Sequence, residues 1–155
     1  MSEVMIILGS APDKEIAIKC TEILKKFGIG YEVAVASAHR TPERVKEIVE
    51  KSNAKVFIAI AGLAAALPGV VAAHTTKPVI GVPVSGKVPL DSLLSIVQMP
   101  TGIPVACVGV DNSENAALLA AEILALQNEE ISKKLALYRQ ELEKKVEESA
   151  KLEKL

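Results

Sequence analysis

VFIAIAGLAAALPGVVAAHTT, residues 56–76, contains no charged side chain, and its reading decides the fold. On length alone such a run could cross a bilayer. Its interior argues otherwise. Gly62, Pro68 and Gly69 break it in the middle, and the β-favouring VFIAIA gives way to Ala-rich sequence. It reads as a buried strand, a loop and a buried helix, not a membrane span.

The same alternation extends in both directions. VMIIL (4–8), YEVAVA (31–36), KVFIAIA (55–61), PVIGVPV (78–84) and PVACVGV (104–110) read as strands. All but the second are nearly continuous in apolar residues, as expected of parallel strands covered on both faces. Residues 13–27, 42–52, 68–75 and 90–97 read as the intervening helices, followed by a helix over 115–126. Thr41 followed by Pro42 predicts a capped helix start, and FGIG (27–30) supplies a glycine to end a helix. The chain is therefore expected to form a doubly wound α/β domain over residues 1–127, with a central parallel sheet between helical layers.

Residues 128–155 differ. Ile131, Leu135, Tyr138, Leu142 and Val146 make an apolar stripe on a long C-terminal helix. Glu129/Lys133, Glu130/Lys134, Glu141/Lys145 and Glu147/Lys151 stand in the favourable i,i+4 order. The first turns are expected to cover the chain's own domain, and the remainder to pack on a neighbouring subunit.

Composition narrows the function. Half of the 155 residues are hydrophobic, but only 3% are aromatic and Trp is absent, so the core is aliphatic. A net charge of −1, with no basic cluster, argues against a nucleic-acid surface. Cys20 and Cys107 show no metal or disulfide spacing and read as ordinary thiols in a reducing cytoplasm. MSEVMIILGS is too short and lacks the basic residues of a secretory signal.

In open α/β sheets ligands bind beyond the carboxyl ends of the strands. GSAPD (9–13) places a hydroxyl, Ser10, and a carboxylate, Asp13, after the first strand, where, taken alone, a plain turn with a helix cap is the stronger reading. SAHR (37–40) follows the second strand with Ser37, His39 and Arg40. Histidine can donate and accept a proton in one cycle, and arginine pairs with phosphate or carboxylate. A solvent-facing pair at a helix start is the competing interpretation. AGLAAALPG (61–69) brings Gly62 and Ala64 after the third strand, either to bare a backbone toward a cavity or to let helix and strand pack closely. His74, among apolar residues, reads as structural or as a subunit contact.

With GSAPD, SAHRTPE, AGLAAALPG, KPVIGVPV, LDSLLSIVQMPTGIPVA and NAALLAAEIL in this order, the chain resembles the N5-carboxyaminoimidazole ribonucleotide mutase family of purine biosynthesis, from about Val4 to Leu126. The resemblance implies a flavodoxin-like three-layer domain, a homo-octamer with sites at subunit junctions, a small nucleotide substrate, and no metal or organic cofactor. It implies transfer of a carboxylate from the exocyclic nitrogen of an aminoimidazole ribonucleotide to ring carbon C4. His39 matches the family's general acid/base. Ser10, Asp13, Ser37, Arg40, Gly62 and Ala64 match its binding positions, with Arg40 toward the phosphate and Asp13 toward the ribose. Three positions depart from the pattern: Pro12 replaces a serine, Ala66 replaces a histidine, and Pro89 replaces the glycine before Leu90-Asp91-Ser92-Leu93. These leave three readings open: a mutase, a carboxylase using AIR and CO2 directly, and a catalytically impaired or engineered oligomeric scaffold.

Overall fold

The computed structural model describes residues 1–150. Five parallel strands, β1 (Val4–Leu8), β2 (Tyr31–Val35), β3 (Val56–Ala61), β4 (Val79–Pro83) and β5 (Ala106–Cys107), form one sheet in the order β2-β1-β3-β4-β5. The helices between them are α1 (Lys14–Phe27), α2 (Pro42–Lys51), α3 (Leu67–Ala73) and α4 (Pro89–Val97), and α5 (Ser113–Ala125) follows β5. This is the flavodoxin-like order, and the chain reverses direction across the sheet between β1 and β3.

The run 56–76 resolves into strand, loop and helix. Every residue of β3 is buried, because alternate side chains enter two different cores. Val56, Ile58 and Ile60 pack with α1 and α5, where Ala116, Ala117, Ala120 and Ala121 allow close helix–sheet approach. Phe57, Ala59 and Ala61 pack with Val45, Val49, Leu67, Val71 and Ile96 of α2, α3 and α4. Among the described residues, no helix is long and apolar enough to cross a membrane. Gly28 ends α1 in the left-handed region (φ 73°), with Ile29 N–H donating to Leu24 O and Gly28 N–H to Lys25 O, a Schellman arrangement.

Two local expectations are corrected, at β5 and at the start of α2. The fifth strand is not a long buried one: only Ala106–Cys107 pairs, at the sheet edge and partly exposed. Pro104 has no N–H for the ladder, and beyond Cys107 the chain turns, Asn112 N–H donating to Gly109 O. Thr41 precedes α2 but does not cap it with its side chain; Oγ1 instead accepts from Ser37 N–H and donates to Ser37 O, at 2.9 and 3.2 Å. A loop that needed its own hydrogen bonds took the hydroxyl first.

The last helix, α6, spans Glu129–Ala150. Ile131 is buried, and Leu135 and Tyr138 pack on the α1/α5 core. The Tyr138 ring meets Phe27 edge-on, with centroids 5.7 Å apart, and Lys26 Nζ lies 4.6 Å from its centroid. The pairs Glu129–Lys133 and Glu130–Lys134 form, each at 2.9 Å. Glu141, however, pairs at 2.8 Å with Lys26 of α1 rather than with Lys145. Docking of α6 places a cation of another helix within reach, which periodicity alone does not reveal. Lys151, of the expected Glu147/Lys151 pair, lies outside the described residues. Leu142 and Val146, further along the stripe, are exposed.

Candidate active site

A cleft of about 530 Å³ opens at the carboxyl ends of β1, β2, β3 and β4, spanning the switch point between β1 and β3. Ser10, Asp13, Ser37, His39, Arg40, Gly62 and Ala64 all line it, joined by Ala66 and by Val84 and Gly86 after β4.

After β1, residues Ala11–Asp13 form a single 3-10 turn that leads into α1. Asp13 is buried, and its Oδ2 accepts from Ser10 N–H at 3.1 Å and Ser10 Oγ at 2.9 Å. The carboxylate is thus held against the cleft floor by its own turn. Gly9 is not demanded by the protein around it: an added Cβ would stand 3.6 Å from Ile60 O, an ordinary contact.

After β2, Ser37 organises the next wall. Its Oγ accepts from Arg40 N–H at 3.2 Å and from Arg40 Nε at 3.3 Å, while Arg40 Nη2 donates to Gly9 O at 3.4 Å. The guanidinium therefore bridges the loops after β1 and β2. His39 and Arg40 are both exposed on the cleft wall, where a solute can reach them. This arrangement offers one proton carrier, one cation and one buried carboxylate around a common space. That set suits binding of an anionic, hydroxylated ligand and a proton transfer within it.

After β3, the loop from Gly62 to Ala66 contributes only small side chains and Leu63. Ala64 adopts φ 49°, a left-handed conformation that costs a non-glycine residue roughly 1–2 kcal/mol. Its N–H donates to the carboxylate of Asp91, in the first turn of α4. Ala66 precedes α3 without a side-chain cap, and its carbonyl accepts from Val70 N–H at 3.0 Å. After β4, Ser85 N–H donates to Asp111 Oδ1 at 2.9 Å, and Asp111 itself has φ 59°. His74 ends α3, half-buried, and does not line the cleft. Among the described residues, no group of three or more His, Cys, Asp or Glu converges as a metal site.

The AIR carboxylase family model matches residues 3–145. The chain belongs to that family. It is 65% identical over 144 residues to the N5-carboxyaminoimidazole ribonucleotide mutase of Methanocaldococcus jannaschii, covering 92% of each chain. It is 48% identical to the protein of the same name from Thermotoga maritima, covering 97% of this chain and 91% of that one. The crystal structure of Treponema denticola PurE superposes with a TM-score of 0.85 at 34% identity, covering 94% of both chains.

For this AIR carboxylase family member, the sequence motifs led to the walls after β1, β2 and β3. Val84 and Gly86 line the cleft without having been singled out by the motifs, and Asp91 and Asp111 stand behind it, accepting from Ala64 N–H and Ser85 N–H. Asp91 falls in the LDSLLSIVQMPTGIPVA motif, but neither that motif nor its place near a helix start carries any sign of a loop 27 residues earlier in the chain.

Proposed function

We propose that this chain is an N5-carboxyaminoimidazole ribonucleotide mutase, with His39 as the general acid/base. The observation that carries the reading is the convergence of Asp13, His39 and Arg40 on one cleft, in a chain 65% identical to a protein of that name. Arg40 is proposed to meet the substrate phosphate. Asp13, with Oδ2 occupied by Ser10, would offer Oδ1 to a ribose hydroxyl. Ser10, Ser37, Gly62 and Ala64 complete the binding surface, Ser37 by holding the Arg40 guanidinium.

The reaction needs one proton delivered and one removed. The N–C bond of the carbamate breaks and CO2 departs; the exocyclic nitrogen keeps the electron pair and takes a proton from the His39 imidazolium. Ring carbon C4 then attacks the CO2 held in the cleft, forming the new C–C bond, and the proton on C4 passes to the neutral His39. Protons and charge balance over the cycle, and one histidine serves both steps. Small side chains after β3 suit a CO2-sized space.

The family resemblance further suggests a homo-octamer in the cytoplasm. Leu90, Leu94 and Val97 form an exposed apolar stripe on α4, and Leu142 and Val146 are exposed on α6, which packs on the opposite face of the sheet. Such faces suit burial against other subunits. Residues 1–127 would be the catalytic-type domain and 128–155 the segment that reaches a neighbour. Light scattering on the eluting protein tests the assembly, and a monomer would refute it.

The deciding experiment supplies N5-carboxyaminoimidazole ribonucleotide to the purified protein and follows the C4-carboxylated isomer by ultraviolet absorbance. AIR with bicarbonate runs in parallel. Turnover is expected from the first substrate, and His39→Ala should lower it by about 10²-fold or more with the assembly intact. Turnover only from AIR and bicarbonate would favour the direct carboxylase, which the replacement of a loop histidine by Ala66 keeps in contention. Silence in both arms would leave the scaffold reading.

A further inference from the structure

We infer that Asp91 is a positioning residue of the cleft: from the start of α4, its carboxylate holds the loop after β3 in the shape that closes one wall of the site. The residue itself is outside the set that the sequence motifs assigned to the nucleotide. Three observations carry the inference.

Ala64 occupies left-handed backbone space without being glycine, so something must offset its strain. The partner is present: Ala64 N–H donates to Asp91 Oδ2, a charge-assisted hydrogen bond. Asp91 is itself fixed, half-buried in the first turn of α4, where the helix N-terminus favours its negative charge, and its own N–H donates to Val88 O. The neighbouring Ser92 is buried and donates to Val84 O at 2.8 Å, so the start of α4 is tied to the end of β4 as well. The loop and the strand end that Asp91 and Ser92 restrain both line the cleft.

Without the carboxylate, Ala64 loses the contact that favours its left-handed conformation and relaxes toward ordinary right-handed or extended backbone. Leu63 to Ala66 then move, and the wall after β3 moves with them. The consequence for catalysis rests on the mutase reading; the consequence for the loop does not.

The test compares the unsubstituted protein with Asp91→Ser, Asp91→Ala and Asp91→Asn. Serine and alanine cannot span to Ala64, and serine remains acceptable at a helix start should alanine fail to fold. Asparagine keeps an acceptor oxygen without the charge. Amide hydrogen exchange of a peptide covering residues 61–67 should accelerate by about tenfold or more in the serine and alanine variants, with α2 unchanged as the internal control. Asparagine should restore exchange to within about threefold. Affinity for AIR, measured by calorimetry, and KM should weaken in the same order, with kcat less affected.

Unchanged exchange in Asp91→Ser overturns the inference, as does an asparagine variant that behaves like serine. Loosened exchange with unaltered affinity and KM overturns the positioning role. Absence of turnover in the unsubstituted protein counts against the mutase reading alone, and the exchange comparison still decides whether Asp91 holds the loop.

Discussion

Gly81→Ala is the substitution that most directly probes how the fold carries the site. Gly81 lies in the middle of β4, and two helices converge on it. A Cβ there would stand 2.4 Å from Ile96 Cγ2 of α4 and 3.2 Å from Pro68 Cγ of α3. Ordinary contact begins at 3.4 Å, so Ile96 would have to retreat by about 1 Å. It is fully buried and β-branched, with few alternative rotamers in a helix. Overpacking of this kind costs roughly 1–3 kcal/mol. Restricting the unfolded chain returns about 0.4–1 kcal/mol, leaving a net loss of about 1–2 kcal/mol. Urea unfolding should register a midpoint lower by about 0.5–1 M for a slope near 2 kcal/mol/M. Ile96→Ala alone should cost about 2–5 kcal/mol by opening a cavity. In the double variant the new methyl occupies part of that cavity, so the combined cost should fall short of the sum by about 1 kcal/mol. A neutral Gly81→Ala, or strict additivity, would refute the claim that α3 and α4 meet on this residue. Because α3 follows the Gly62–Ala66 loop and α4 carries Asp91, the same variant should also weaken ligand affinity.

Two further predictions follow from ionisation. Burial, and secondarily the charge of Glu114, push the Cys20 thiol up to about 12. At pH 8 a disulfide reagent should therefore modify Cys107 first and Cys20 only on unfolding; equal rates in the folded protein would contradict the packing of α1. The Glu141 carboxyl is held below its usual range by the hydrogen bond from Lys26 and then by the Lys26 charge. A depressed folded value means that the contribution is present above the unfolded value, about 4.3, and is lost as pH falls through the folded one. Glu141→Gln should flatten the pH dependence of unfolding in that acidic window, and curves parallel to the unsubstituted protein would show that the pair between α6 and α1 is not formed.

The sequence was most legible where one physical signal dominated. Breaks at Gly62, Pro68 and Gly69 separated strand, loop and helix in 56–76, and continuous apolar runs identified β1, β3 and β4 as central strands. Gly28 marked a helix end because a left-handed residue was needed there. Legibility failed where a side chain had two competing partners. Thr41 could cap α2 or close its own loop, and Glu141 could pair along α6 or across to Lys26; tertiary geometry chose between them. The short β5 also defied its composition, since VACV has strand character but Pro104 and the turn at Gly109 limit its pairing. Asp91 was least legible of all. Its partner is a backbone N–H, and no side-chain pattern announces the left-handed conformation of Ala64.

Pro12 and Ala66, two of the positions at which the family resemblance implies another residue, have one structural property in common: both sit where a helical segment begins. Pro12 lies within the opening turn before α1, where its fixed φ suits the backbone and where an early N–H has no intrahelical acceptor. The hydrogen bonds from Ser10 to Asp13 persist around it. Ala66 stands immediately before α3, a position where serine or aspartate would cap the helix and alanine leaves the first N–H groups without a side-chain partner. Neither position supplies a hydrogen bond to the Ser37–Arg40–Gly9 bridge. The site therefore divides by strand. The ends of β1 and β2 hold its ionisable groups, whereas the end of β3 holds shape, set by an alanine backbone that Asp91 restrains from α4. A change at Ala66 therefore alters the volume and polarity of the cleft wall after β3, whereas the groups proposed to bind and to transfer a proton stand on the walls after β1 and β2.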